Sequence, residues 1–199
     1  MTYQTGETGN DGWQRLIAAR EMYTQSAGVH YDEVLDQVAQ RAHSEGSISK
    51  ADIGALLLWK RLRADTRWAS ALMATADAEV RRATAAAMTA VLDASVSLSE
   101  AARARRGALA GLPGYTRGDA LSSTVLTAAA PHRMAVYDRR AHASLRSLGI
   151  PLTDAPARYI AALDHLLAHA PSPAHAWTPR DLDIALYCLP SNSAGTDSA

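Results

Sequence analysis

The sequence predicts an all-α protein, and three observations carry that prediction. Alanine, leucine and arginine, all good helix formers, dominate the chain, and Phe is absent. Apolar residues recur at intervals of three and four rather than two through nearly every segment. Serine, threonine or aspartate stands just ahead of several of those apolar runs, in three places with an acidic residue three positions on. A length of 199 residues suits one globular unit with a core of its own, so two independent domains are not expected.

In chain order, the spacing predicts a first helix over Trp13 to about Gln25 and a second over Tyr31 to His43, followed by the polar stretch 44–47. Ser49-Lys50-Ala51-Asp52 opens a helix running through Leu58, Trp59 and Leu62, because the serine hydroxyl and the carboxylate can each accept the other residue's backbone N–H. Trp68, Leu72 and Met73 continue that apolar pattern, and Trp59 and Trp68 read as core anchors of this first lobe. A long helix from about Asp77 to Leu92 stops at Asp93, and Ser97 with Glu100 starts another that reaches Ala110, where Gly111 stands in the position of a helix-stopping glycine. The next helix spans about Arg117 to Ala130 and ends at Pro131. Met134 to Tyr137 reads as extended or buried loop, and Asp138 is placed to cap a helix ending at Gly149. Thr153 or Asp154 opens a helix through Ala170, which Pro171-Ser172-Pro173 breaks. Thr178-Pro179-Arg180-Asp181 combines a cap, a proline at the first helical position and an acid at the third, and leads into a closing helix. The expected organisation is an N-terminal helical lobe over 1–96, a second group of helices over 97–190 within the same globular unit, and a disordered tail over 191–199.

With 48% apolar and 20% charged residues the composition is globular, and no run approaches the roughly 18 uninterrupted apolar residues of a membrane span. The polar opening MTYQTGETGN has neither a basic nor an apolar leader segment, so a cytoplasmic location is expected. Cys188 is alone, which excludes an internal disulfide and any zinc or iron–sulfur site built on several thiolates; its apolar neighbours make it read as a small buried side chain. No cofactor is expected. The net charge of zero conceals an asymmetry: residues 101–150 hold eight arginines against Asp119 and Asp138, giving +6, so the remainder carries −6. A basic excess inside an otherwise acidic chain suits an anionic partner, and guanidinium forks suit phosphate. An ordinary solvated helix face would show the same charges.

That excess surrounds GLPGYTRGDA, residues 111–120, a glycine-proline-glycine turn between two helices. Such a turn lets backbone approach a ligand, and the free N–H groups opening the second helix favour an anion, for which a DNA phosphate is a natural fit. A helix-helix corner with no ligand is the plainer reading of the same residues. Leu112-Pro113-Gly114-Tyr115-Thr116-Arg117-Gly118-Asp119-Ala120 resembles the hairpin of the helix-hairpin-helix DNA glycosylase superfamily, whose pattern is L-P-G-V-G-x-K-x-A. Ala135-Val136-Tyr137-Asp138, leading into a helix that ends in Leu148-Gly149, is similar to that family's second signature, twenty residues beyond Gly118. The resemblance covers about 97–149 with specificity and the rest only in helical character.

What the resemblance implies is an all-α bundle built around a helix-hairpin-helix motif, holding DNA backbone through Leu112, Pro113, Gly114, Tyr115, Thr116, Arg117 and Gly118 with Arg139 and Arg140 nearby. It also implies a carboxylate, Asp138, that stabilises positive charge on a sugar and orients water once a nucleotide is turned out of the stack. Asp138 reads equally well as a simple helix cap. The departures narrow the chemistry. Gly118 stands where the family's lyases carry a lysine, and the only lysines, Lys50 and Lys60, are distant in sequence, so an amine nucleophile at that position is excluded. Thr116 replaces the second hairpin glycine, and one cysteine cannot build the family's iron–sulfur cluster. Tyr115 and Tyr137 are candidates to stack on a base or wedge into a duplex, or else simply to pack.

Other constellations carry less. His165 and His169 share one helix face at metal-ligand spacing, but no third ligand completes a signature, and solvated histidines are the better reading. His132 reads as a loop residue. Phosphate-loop, dinucleotide and serine-hydrolase motifs are missing from the sequence. The leading expectation is a DNA-binding protein resembling a monofunctional base-excision glycosylase. A non-catalytic DNA-binding or sensing protein and a helical protein–protein module are the alternatives.

Overall fold

Two hydrophobic cores organise the chain, the first enclosed by a continuous run of helices and the second mainly by the helices on either side of that run. The computed structural model describes residues 9–28, 30–63, 67–115, 119–150, 152 and 156–189. Among these lie ten α-helices and no strand: α1 (Asn10–Ser26), α2 (Glu33–Glu45), α3 (Lys50–Trp59), α4 (Arg67–Ala74), α5 (Asp77–Leu92), α6 (Leu98–Leu109), α7 (Asp119–Ala129), α8 (Arg139–Ser147), α9 (Pro156–Ala168) and α10 (Pro179–Cys188). The all-α expectation holds. Thr116, Arg117 and Gly118 of the hairpin, and the 191–199 tail, lie outside the described residues.

The first core gathers Leu35 and Val38 of α2, Leu56 and Trp59 of α3, Val80 and Met88 of α5, Leu126 of α7, and the turn residues Leu112 and Tyr115. The second gathers Trp13 and Leu16 of α1, Leu145 of α8, Tyr159 and Leu163 of α9, and Leu182 and Leu186 of α10. Helix α1 packs against α10, while α7 packs against α2, so the first core is the stretch from α2 to α7 and the second closes α1 onto α8, α9 and α10. Helix α6 packs against α5 on one side and α9 on the other, and joins the two groups.

Caps fix where several helices begin. Ser49, Ser97 and Thr178 each accept the backbone N–H of the acidic residue three positions on, and that residue's carboxylate accepts the cap's N–H in return. Asp138 caps α8 by accepting the Arg140 N–H at 2.8 Å. Some boundaries differ from expectation. Helix α1 starts at Asn10, ahead of Trp13, and α3 ends at Trp59 rather than running on to Leu62. Its stop is a left-handed residue: Arg61 has φ of +52°, with Leu62 N–H donating to Leu57 C=O at 2.9 Å and Arg61 N–H to Leu58 C=O at 3.1 Å. That double bond pattern usually has glycine at the left-handed position. Gly111 does not have the positive φ of a stopping glycine; in that turn it belongs to Gly114, at +93°.

Candidate functional site

The hairpin glycine has a packing reason for its identity. A Cβ on Gly114 would sit 2.5 Å from Cε3 and 2.8 Å from Cδ2 of the Trp68 ring. Only glycine fits there, and it also carries the positive φ without strain. Leu112 and Tyr115 are 3% and 5% exposed and belong to the first core, so of the two readings of Tyr115 the packed one describes its ring. Its hydroxyl is buried with no hydrogen-bond partner among the described residues, and burial pushes its proton affinity up. Pro113 is half-buried. Tyr137 is likewise packed, with its ring edge-on to Tyr159 at 5.5 Å and its backbone N–H donating to Ser123 Oγ at 2.9 Å.

A pocket of about 520 Å³ opens where the two cores meet. Its walls come from the end of α1 and the loop beyond it, the end of α3, the cap of α8, and α10. Tyr23, Tyr31, Trp59 and Tyr187 give it aromatic faces. Asp138 lines it, so the residue that caps α8 also faces the pocket. Asp138 Oδ2 pairs with Lys60 Nζ at 3.2 Å, with side chains 23% and 18% exposed. Lys60, distant from Asp138 in the chain, is beside it in space because α3 ends against the start of α8. The Tyr187 ring has two cations close to it, Lys60 at 5.3 Å and Arg140 at 5.0 Å from its centre. Arg139 and Arg140 are both exposed, on the first turn of α8.

The floor of the pocket is a polar network spanning both cores. Asp183, buried on α10, accepts a 2.5 Å hydrogen bond from the Tyr159 hydroxyl and a 3.0 Å bond from Arg180 Nη1. Burial holds the Asp183 carboxyl above its ordinary range, although Arg180 and the Tyr159 hydroxyl pull it down. The same burial, reinforced by Asp183, raises Tyr159 well above its usual value. For Arg180 burial acts to lower its value, but the carboxylates of Asp183 and Asp32 outweigh it, so the guanidinium stays charged. Arg180 lies over the Trp59 ring at 5.1 Å and within 3.6 Å of Asp32. Asp32 in turn accepts the Trp59 indole N–H at 2.9 Å. Tyr23, beside Asp32, is pushed up to about 12 by burial and by that carboxylate. Cys188 lines the pocket half-buried, packed against the second core, and burial raises its thiol.

Sequence reasoning placed Asp138 but missed Lys60, Arg61, Arg180, Asp183 and the aromatic walls. One local signal pointed to the floor: Asp183 stands between Leu182 and Ile184 on the buried side of an amphipathic helix, where a charge needs partners. No group of three or more metal-ligating side chains occurs among the described residues. His165 and His169 lie ring to ring at 4.7 Å, with His169 Nδ1 bonded to the His165 carbonyl. No described helix is long and apolar enough to cross a membrane. Comparison of the chain with protein-family models, with curated proteins and with solved structures finds no match.

Proposed function

We propose that this protein binds DNA, admits one extruded nucleotide to the pocket between the two cores, and cleaves the bond between base and sugar with Asp138 as its carboxylate. The observation that carries the reading is the double position of Asp138: it caps α8 and lines a pocket with aromatic walls and a cationic rim. Aromatic faces stack on any base, and guanidinium groups at the rim attract phosphate. The volume of about 520 Å³ lies within the usual range for small-molecule pockets.

In this reading the C1′–N bond breaks with its electron pair leaving on the base, and positive charge develops on the sugar. The Asp138 carboxylate stabilises that charge and orients the water that adds to C1′, while the proton released by water ends on the departing base. One Asp138 oxygen accepts the Arg140 N–H and the other faces Lys60. A carboxylate has about four acceptor sites, so both oxygens retain a lone pair for water or sugar.

The test is Asp138→Asn. Asparagine caps a helix as well as aspartate does, so the fold is retained. On duplexes carrying a panel of damaged bases, the wild type is expected to release a base and the variant to lose that release while still binding an abasic-analogue duplex. Both engaged oxygens of Asp138 favour a second reading, a non-catalytic DNA-binding protein, for which equal binding by both proteins and no release by either is the expected result. Wild-type binding that is absent, or indifferent to salt, overturns both.

A further inference from the structure

Three cations line the pocket, and two of them are matched to carboxylates. Lys60 is paired with Asp138 at 3.2 Å, and Arg180 with Asp183 at 3.0 Å. Arg61 is the third. Its side chain is exposed at the pocket lip, its guanidinium stands 5.9 Å from the Tyr31 ring centre, and no carboxylate pairs with it among the described residues.

The backbone of Arg61 makes that position informative. Its φ of +52° is the one positive value at a non-glycine among the described residues. The Leu62 and Arg61 N–H bonds at 2.9 and 3.1 Å close a helix end whose left-handed position glycine fills without strain. An arginine there is strained and gains no burial, since the side chain is exposed and its contact is with Tyr31 at the lip. Strained non-glycine residues persist where the side chain has a task, and the left-handed turn swings this one over the lip toward Tyr31. A planar guanidinium has five N–H donors, more than its Tyr31 contact uses, and beside an aromatic wall it matches the phosphate oxygens of a nucleotide whose base stacks on that wall.

We propose that Arg61 is the phosphate anchor of the pocket, gripping the backbone phosphate of the nucleotide that the aromatic walls receive; this rests on the DNA-binding reading above. Glycine at this site separates anchoring from folding, because it relieves strain while removing the guanidinium. Arg61→Gly is expected to raise the thermal midpoint by roughly 2–4 °C. It is also expected to weaken binding of a duplex carrying a tetrahydrofuran abasic analogue by roughly 10-fold or more, and to lower the slope of log affinity against log salt by about 1. Both proteins are titrated with that duplex across a salt series, and with deoxyadenosine 5′-monophosphate and deoxyadenosine. Unchanged duplex affinity and salt slope in Arg61→Gly overturn the anchor. If the wild type binds no duplex, the DNA reading fails by itself, and the mononucleotide decides the anchor. A preference for the monophosphate over the nucleoside that disappears in Arg61→Gly supports it, and no such preference, or one the variant keeps, overturns it.

Discussion

Replacing Gly114 by alanine tests whether the hairpin glycine serves packing. Two costs add. A residue with a Cβ held at φ of +93° is strained by roughly 1–3 kcal/mol. The new Cβ would also meet Trp68 carbons at 2.5 and 2.8 Å, and forcing a large indole to move in a packed setting costs roughly another 1–3 kcal/mol. A total of about 4 kcal/mol lowers the thermal midpoint by about 12 °C for a domain of this size. Guanidinium unfolding of Gly114→Ala, Trp68→Ala and the double variant separates the parts. With the indole gone only the backbone cost remains, so the glycine substitution should cost at least about 1 kcal/mol less in the Trp68→Ala background than in the wild type. A Gly114→Ala variant within about 0.5 kcal/mol of wild type, or an equal cost in both backgrounds, refutes the close packing. A loss of DNA binding in Gly114→Ala would therefore report folding as well as grip.

Arg180→Leu leaves the buried Asp183 carboxyl without its cation and should cost roughly 3–5 kcal/mol in urea unfolding; Arg180→Leu with Asp183→Leu should cost less, and a double variant worse than the single refutes the pairing. Asp52 is held below its ordinary value of 3.8 because hydrogen bonds from Ser49 and Arg41 outweigh the burial that would raise it. Its stabilising effect is complete above that value and disappears as pH falls through the lower folded one, so the acid loss of stability should be shallower in Asp52→Asn than in wild type, and an equal or steeper loss refutes it. Lys60→Met removes the partner that holds Asp138 and should slow base release, with no borohydride-trapped adduct on abasic duplex in either protein; an adduct formed by wild type and lost in the variant would make Lys60 a nucleophile.

The parts of this fold that were legible in the sequence are those set by contacts three or four residues apart. Ser49 with Asp52, Ser97 with Glu100 and Thr178 with Asp181 announce their helices because each cap is satisfied inside one turn. Asp138 was legible as a cap for the same reason. The end of α3 was not, because the usual stop signal is glycine and the chain has Arg61 there, so the apolar pattern ran on to Leu62. The pocket was illegible for a different reason: its walls come from chain segments that meet only because α1 packs against α10 and α3 ends beside α8. Gly114 was legible as a special residue but not in its purpose, since nothing near it in sequence points to Trp68.

The charge balance of the pocket assigns its cations to different tasks. Burying Asp183 beneath the pocket requires a compensating partner, and Arg180, itself mostly covered, gives that charge while stacking on Trp59. Lys60 stands against Asp138 with its ammonium also facing the Tyr187 ring, so its charge is committed from two sides. A lysine nitrogen engaged by a carboxylate at 3.2 Å and by a ring face is not presented to a sugar carbon as a nucleophile. The pairing instead holds the Asp138 carboxylate in place at the pocket wall, where it can face positive charge developing on a ligand. What remains for an incoming anion is the lip, where Arg61 has no carboxylate of its own among the described residues and Arg140, exposed on the first turn of α8, borders the same Tyr187 ring. In the DNA-binding reading proposed above, these cations at the mouth would draw a phosphate to the rim, while Lys60 and Arg180 within the pocket are matched by Asp138 and Asp183.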